Sequence, residues 1–297
     1  MSKHPDADDP IAAAWCEHRR RLLDIAYRML GTLSDADDAV QEAFLRLARD
    51  GLDGIDDTLG WLITTTGRIC LDKLRADTTR RRYIGPWLPE PYVDLPAATV
   101  DPADQVTLDD SVRIAMLALL ETLSPAERTV FVLHDVFAMS FEQVADVVGR
   151  TPAACRKLAS RARRHMADNA EPRFEVEPAT ARQVADRFAA ACSSGDVAEL
   201  LAVLDADVIG EFDSGGYLPN APLEPLAGAP AVAATLAYAF GGAGATFAVA
   251  PVNGVPGVVV DFYGQVMAVI SLDTDGRAVT AIRAIGNPSK LRCVNLL

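Results

Sequence analysis

Between Arg150 and His165 the chain carries Arg150, Arg156, Lys157, Arg161, Arg163 and Arg164 and no acidic residue, although acids outnumber bases 41 to 28 over the 297 residues. Cationic groups at this density meet phosphates, and a guanidinium can also fork onto the edge of a guanine. Thr151 and Ser160 are small polar residues able to approach base edges. A second basic stretch holds Arg68, Lys73, Arg75 and Arg80, interleaved with Trp61, Tyr83 and Trp87. Charge for a backbone and flat faces for unstacked bases are what a single-stranded or melted nucleic acid requires. The plainer readings are a solvated amphipathic helix for the first stretch and a self-solvating helix end for the second.

The elements that must position these groups are legible from caps and periodicity. Ser124 with Glu127, and Ser140 with Gln143, read as capping boxes, and Thr151 with Pro152 opens a third helix. Gly149-Arg150 breaks the chain between the last two. In that last helix Cys155, Leu158, Ala159, Ala162 and Met166 fall on one side, so the basic residues occupy the rest. A short helix, a glycine turn and a capped basic helix make a helix-turn-helix whose second helix suits a major groove. Upstream, Gly31 ends a first helix. Ser34 is read as the cap of a second, whose stripe is Ala36, Ala39, Val40, Ala43, Phe44 and Leu47. Asp35, Asp38, Gln41 and Glu42 are left on its polar face. A third helix begins near Asp57 or Thr58.

Net charge is −13. This excludes a protein coated in positive charge for non-specific nucleic-acid binding. Local basic islands still act within roughly 10 Å at ordinary salt. Such a protein binds DNA weakly alone and needs a partner to hold it there. Five scattered cysteines and four histidines form no metal-spaced cluster, which predicts no metal site, no cofactor and a reducing compartment. The polar, acidic start does not read as a signal peptide, and no apolar run is long enough for a membrane span. The expected location is the cytoplasm, with residues 1–10 disordered.

Pro86, Pro89, Pro91, Pro96 and Pro102 exclude a long helix and mark a linker. Trp87 and Leu88 within it are expected to dock against a folded surface. After residue 170 the composition shifts. Two helices, a strand ending at Asp213, a turn at Gly215-Gly216, a further helix and an antiparallel run of strands follow. Asp273-Thr274-Asp275-Gly276 is a hairpin turn. The fold expected is multidomain: two small all-α domains, the second with the helix-turn-helix, and a carboxy-terminal α+β domain with helices filling a bent sheet. The domain bounds are 11–83, a linker 84–106, 107–170, and 178–297.

The segments 35–47 (DADDAVQEAFLRL), 60–75 (GWLITTTGRICLDKLR) and 123–128 (LSPAER), with the helix-turn-helix after them, resemble the extracytoplasmic-function RNA polymerase sigma factors. Trp87-Leu88-Pro89-Glu90-Pro91, Asp213-Ser214-Gly215-Gly216 and Asn287-Pro288-Ser289-Lys290-Leu291 resemble motifs of the branch fused to a domain of the SnoaL or nuclear-transport-factor-2-like fold, similar to a mycobacterial member. In that branch the first motif glycine stands where this chain has Ser214, and an aspartate where it has Ser289.

The resemblance implies bacterial core RNA polymerase and promoter DNA as partners, no enzymatic activity, and control in cis by the last domain. Asp35, Asp38, Gln41 and Glu42 would dock on the core enzyme. Trp61, Arg68, Lys73, Arg75 and Arg80 would hold the downstream promoter element. Thr151, Arg156, Lys157, Ser160, Arg161 and Arg164 would take the upstream one. Trp87, Leu88, Pro89, Glu90, Pro91, Asp213, Gly215, Gly216, Asn287, Pro288, Lys290 and Leu291 would form the regulatory interdomain set. Two alternatives stand beside this. One is a helix-turn-helix regulator acting without polymerase. The other is a ligand-binding or enzymatic carboxy-terminal cone, with a small ligand in the cone or with Asp213, Glu211, Asp261 and Tyr263 as its polar members.

Overall fold

A computed structural model describes residues 10–77, 82–93, 113–169, 174–218, 220–241 and 244–294. Arg80, the linker after Val93 and the first nine residues therefore lie outside the described residues. Two units emerge. One comprises Met1–Thr78, Thr99–Thr107 and Leu119–Ala170, and the other Thr79–Ala98, Leu108–Ala118 and Glu171–Leu297.

The first unit is helical. Helices α1 (Pro10–Leu30), α2 (Leu33–Asp50) and α3 (Thr58–Ala76) bury Leu22, Ile25 and Met29, then Val40, Phe44 and Leu47, then Leu62, Ile63 and Ile69. Gly31 ends α1 at φ 73°, a conformation that costs glycine little. The cap of α2 is Thr32 and not the expected Ser34. Gly31 completes α1 by donating to the Tyr27 carbonyl. Thr32 is then the first residue free to extend, and its carbonyl accepts from Ala36 N–H at 3.2 Å. Asp57 caps α3 by accepting from Gly60 N–H at 2.9 Å.

Helix α4 (Ile114–Glu121) is apolar on nearly every side, and the division between the units passes through it. The helix α5 (Pro125–Val130) starts at the Ser124/Glu127 capping box and runs directly into a π-helical turn, Phe131–Val136. There the Phe137 N–H reaches the Val132 carbonyl five residues back, and Ala138 takes a positive φ of 55°. Sequence periodicity gives no sign of this widened turn, because one extra residue in a short apolar run leaves the stripe almost unchanged. Helices α6 (Phe141–Val148) and α7 (Pro152–Asp168) follow, with Gly149 left-handed at φ 69° between them. Ser140 accepts from Gln143 N–H at 3.2 Å, and Thr151 from Ala154 N–H at 3.2 Å. Ser140→Ala is expected to cost about 1 kcal/mol, read as a lowered denaturation midpoint with unchanged slope.

The second unit holds α8 (Pro178–Ser194), α9 (Val197–Val203), β1 (Leu204–Asp213), β2 (Leu226–Ala227), α10 (Ala229–Phe240), β3 (Ala245–Val252), β4 (Val255–Phe262), β5 (Gln265–Thr274) and β6 (Val279–Ile285). The strand order is β2-β1-β6-β5-β4-β3. The sheet is mixed and not purely antiparallel: β1 runs parallel to β6, pairing Glu211 with Arg283 and Asp213 with Ile285. Strands β2 to β5 lie between these two in sequence, so the last strand returns beside the first in the same direction. The expected hairpin is present. Asp275 accepts from Arg277 N–H at 2.7 Å and Ala278 N–H at 2.9 Å, and these donors hold its carboxyl below the ordinary range.

Each face of the sheet has its own core. Helices α8, α9 and α10 cover one face, and the layer is filled by Val184, Phe188, Leu200, Phe212, Leu236, Ile270 and Ile282. The other face carries Val252, Val259, Val269 and Ile285. Leu88 and Val93 of the linker, Ile114 of α4, and Leu291 and Val294 after the last strand pack onto it. Val93 bridges to Val252, and the Tyr92 carbonyl accepts from Asn253 N–H at 2.8 Å, so the linker closes the end of the edge strand β3.

Candidate nucleic-acid interface and a buried charged centre

Helix α7 buries Cys155, Leu158, Ala159, Ala162 and Met166. Thr151, Arg156, Lys157, Ser160, Arg161 and Arg164 are all exposed. Arg156 pairs with Glu142 at 3.3 Å and lies over the Phe141 ring, and Arg163 pairs with Asp135. Lys157, Arg161 and Arg164 make no ion pair with a described residue, which leaves three cations on one accessible helix. Exposed pairs such as Arg156/Glu142 are worth at most about 1 kcal/mol, so a phosphate can displace them.

On α2, Asp38 and Gln41 are exposed. Asp35 and Asp38 both face Lys73 of α3, at 3.4 and 3.7 Å. Glu42 pairs with Arg46 along the helix, and Gln41 donates to Asp37. Two sets of sequence-predicted residues thus converge on Lys73: the acidic face of α2 and the basic end of α3. Arg75 pairs with Asp72 at 3.5 Å, and Trp61 is half-buried. Arg68 donates from Nε and Nη2 to the Asp146 carbonyl, at 3.2 and 2.9 Å.

The second unit contains a buried charged centre around Asp213. Its carboxylate accepts from Leu88 N–H at 2.9 Å, from Gly215 N–H at 3.1 Å, from Lys290 Nζ at 2.6 Å and from the Tyr83 hydroxyl. Lys290 Nζ also donates to the Leu88 carbonyl at 2.5 Å. It sits 3.6 Å from the Trp87 ring centroid and 4.7 Å from that of Tyr83. Asp213 and Lys290 are 1% and 3% exposed. A buried charge persists only when paired and fully hydrogen-bonded, and both conditions are met here. Burial, followed by the bond to Asp213 and its charge, pushes the Tyr83 phenol upward, so it stays a neutral donor.

Gly215 and Gly216 are required by the same centre. Both have positive φ, and a Cβ on Gly215 would fall 2.5 Å from Asn287 Nδ2. Asn287 donates to the Tyr83 hydroxyl at 2.6 Å, while its own oxygen accepts from the Ser289 N–H and hydroxyl. Ser289 therefore secures the Asn287 amide, and Ser214 accepts from Gly216 N–H at 3.3 Å. Leu88, Pro89, Glu90 and Pro91 are buried, and Leu291 packs beside Leu88. Pro288 accepts through its carbonyl from Leu291 N–H.

Tyr83 and Trp87 meet edge to face, with ring centroids 4.6 Å apart, around Lys290, so they are not free faces for nucleic acid. Of the polar candidates for a cone pocket, Asp213 is consumed by the linker. Glu211 pairs with the buried Arg283 at 3.0 Å, Asp261 accepts from Gly264 N–H, and Tyr263 is an exposed turn residue. Sequence reasoning gave no role to Arg128 or Gly67, although both lie inside quoted motifs.

Residues 15–80 match the family described as Sigma-70 region 2, and residues 113–166 match Sigma-70, region 4. A probable ECF RNA polymerase sigma factor of Mycobacterium tuberculosis H37Rv, SigI, is 40% identical over 294 residues, covering 98% of this chain and 97% of that protein. The chain belongs to the ECF RNA polymerase sigma factors. The ECF sigma factor SigJ of the same organism is 44% identical over 208 residues, 68% of this chain and 65% of that protein. Its crystal structure aligns with a TM-score of 0.72 and 34% identity over 94% of this chain and 98% of that one. Helical sigma domains followed by a SnoaL-like mixed-sheet domain are therefore the architecture of this ECF factor. No helix among its described residues is long and apolar enough to cross a membrane.

Proposed function

We propose that the protein binds core RNA polymerase, directs promoter-specific transcription initiation, and is modulated in cis by its carboxy-terminal unit. The observation that carries this is the presence of both sigma regions in one chain aligned nearly end to end with an ECF sigma factor. The chain acts as a transcription regulator and not as an enzyme; polymerase does the chemistry.

In this reading Asp35, Asp38, Gln41 and Glu42 meet basic positions of the core enzyme, which favours encounter rate and partner choice over raw affinity. Trp61, Arg68, Lys73 and Arg75 hold the melted downstream strand, with Arg80 beyond them in sequence. Unstacking costs a few kcal/mol, which stacking and charge offset. Arg156, Lys157, Ser160, Arg161 and Arg164 hold and read the upstream element, where one bidentate base contact discriminates by about 1–3 kcal/mol. The centre formed by Asp213, Lys290, Trp87 and Tyr83 fixes the linker, so any event that loosens it changes the freedom of the two sigma regions. The site of action is the cytoplasm, where polymerase is. The helix-facing layer of the sheet is filled by apolar side chains among the described residues.

The test is reconstitution of the full-length protein with bacterial core polymerase, measuring core binding and transcription from a promoter library. Core binding and promoter-dependent transcripts are expected, with weak promoter binding in the absence of core. Absence of core binding would replace this reading with a free-standing helix-turn-helix regulator. Trp87→Ala is expected to alter transcription without abolishing core binding. An unchanged transcript level in that variant would make the last unit a passenger.

A further inference from the structure

Arg156 is held differently from the other cations of α7. Its guanidinium lies over the Phe141 ring, 5.3 Å from the centroid, and pairs through Nη2 with Glu142 Oε1 at 3.3 Å. Phe141 and Glu142 open α6, immediately after its cap Ser140. The Phe141 ring is itself fixed. It stacks on the His134 imidazole, with centroids 3.8 Å and planes 29° apart, and His134 donates from Nδ1 to the Met139 carbonyl at 2.7 Å. A fixed ring and a carboxylate thus restrain the same guanidinium.

This arrangement does little for stability. The Arg156 and Glu142 side chains are 56% and 66% exposed, and so open a pair contributes little to folding. What it limits is the rotamer freedom of a long side chain that otherwise has much to lose on binding. Glu142 occupies one of five N–H donors set in a fixed plane, which leaves a fork of donors for a second acceptor. Arg163 also pairs with an acid, Asp135, but it lies two turns further along the helix.

We propose that Arg156 reads the O6 and N7 edge of a guanine in the upstream element, and that Phe141 and Glu142, outside the recognition helix, are positioning residues that set this specificity. The proposal rests on reading α7 as the upstream promoter contact. Residues near the start of a recognition helix meet base edges, and Arg156 is the first cation within α7 (Pro152–Asp168). A guanine edge must be met by two donors at a fixed angle, whereas a phosphate accepts from many directions. The restrained cation therefore suits the base, and the unpaired Lys157, Arg161 and Arg164 suit phosphates. Glu142 sharpens the choice, because its charge repels a phosphate from Arg156 and does not repel a neutral base.

The experiment uses the full-length protein with core polymerase on promoters randomised over the upstream element, with transcript yield read for every sequence. Wild type is expected to prefer guanine at one position by at least about fivefold. Glu142→Ala and Phe141→Leu should each lose most of that preference. Glu142→Ala should also raise the yield from sequences lacking the guanine, since a negative charge facing DNA is gone. Phe141→Tyr keeps the ring and should keep the preference. Lys157→Ala should lower the yield from all sequences alike and flatten the salt dependence by about one contact. A merely structural role for Phe141 and Glu142 predicts an even loss at every position. That result, a wild type without a preferred guanine, or a preference unchanged in both variants would overturn the proposal.

Modified DNA supplies a readout on the wild-type chain. Replacing the preferred guanine by 7-deazaguanine removes the N7 acceptor and keeps the base pair. The yield should fall at least about fivefold with wild type and stay level with Arg156→Ala. Equal losses with the two proteins would give the guanine to another residue and overturn the proposal. If core polymerase does not bind at all, the sigma reading fails. A gel shift of the free chain on the same two DNAs then still reports whether Arg156 meets N7.

Discussion

Asp213→Ala is expected to destabilise the carboxy-terminal unit by about 3–5 kcal/mol, because it leaves the buried Lys290 ammonium without its counter-ion. The same change strips acceptors from Leu88 N–H, Gly215 N–H and the Tyr83 hydroxyl. Lys290 would keep the Leu88 carbonyl and the Trp87 face. A desolvated cation over a ring is worth about 2 kcal/mol, too little to offset the lost ion pair. Urea denaturation with tryptophan fluorescence measures the loss. Because Trp87 is in the centre, its emission should shift toward that of exposed indole at denaturant concentrations where wild type is folded. Limited proteolysis should cut near residues 84–93, which wild type holds against the sheet. A variant with wild-type midpoint and an uncut linker would mean that the centre fastens nothing.

Arg128→Met is expected to cost about 3 kcal/mol in the first unit. It removes the Arg128 cation from the Glu121 carboxylate, 10% exposed at its side chain, and the donor from the Met29 carbonyl. Glu121 retains some access to water, which places the loss at the low end for a broken buried pair. The double variant Glu121→Leu with Arg128→Met removes the charge as well as the partner and should regain part of the loss. A double-mutant cycle by thermal unfolding isolates the pair term. Equal losses from the single and double variants would assign the whole effect to the Met29 carbonyl.

The helices and their caps follow from the sequence alone. Ser124 with Glu127, Ser140 with Gln143, and Thr151 are local devices whose partners lie three residues away. The basic face of α7 follows in the same way, because the stripe Cys155, Leu158, Ala159, Ala162 and Met166 fixes which side is left to solvent. Docking of Trp87 and Leu88 was legible only as a mismatch, since two large apolar residues in a proline-rich linker have no local reason to be there. What they dock on was not legible, because Asp213 and Lys290 stand 125 and 202 residues from Leu88. No spacing rule connects groups so far apart. Tyr83 was read beside the arginines that precede it in sequence, and the fold instead joined it to Asn287.

The tertiary structure alone decided the parallel pairing of β1 with β6, the mixed character of the sheet, and the reciprocal caps of Arg68 and Arg128. Each of these depends on which distant segments meet. Sequence periodicity specifies a buried face but not its partner, and an arginine in a motif looks the same whether it will face a phosphate or a carbonyl.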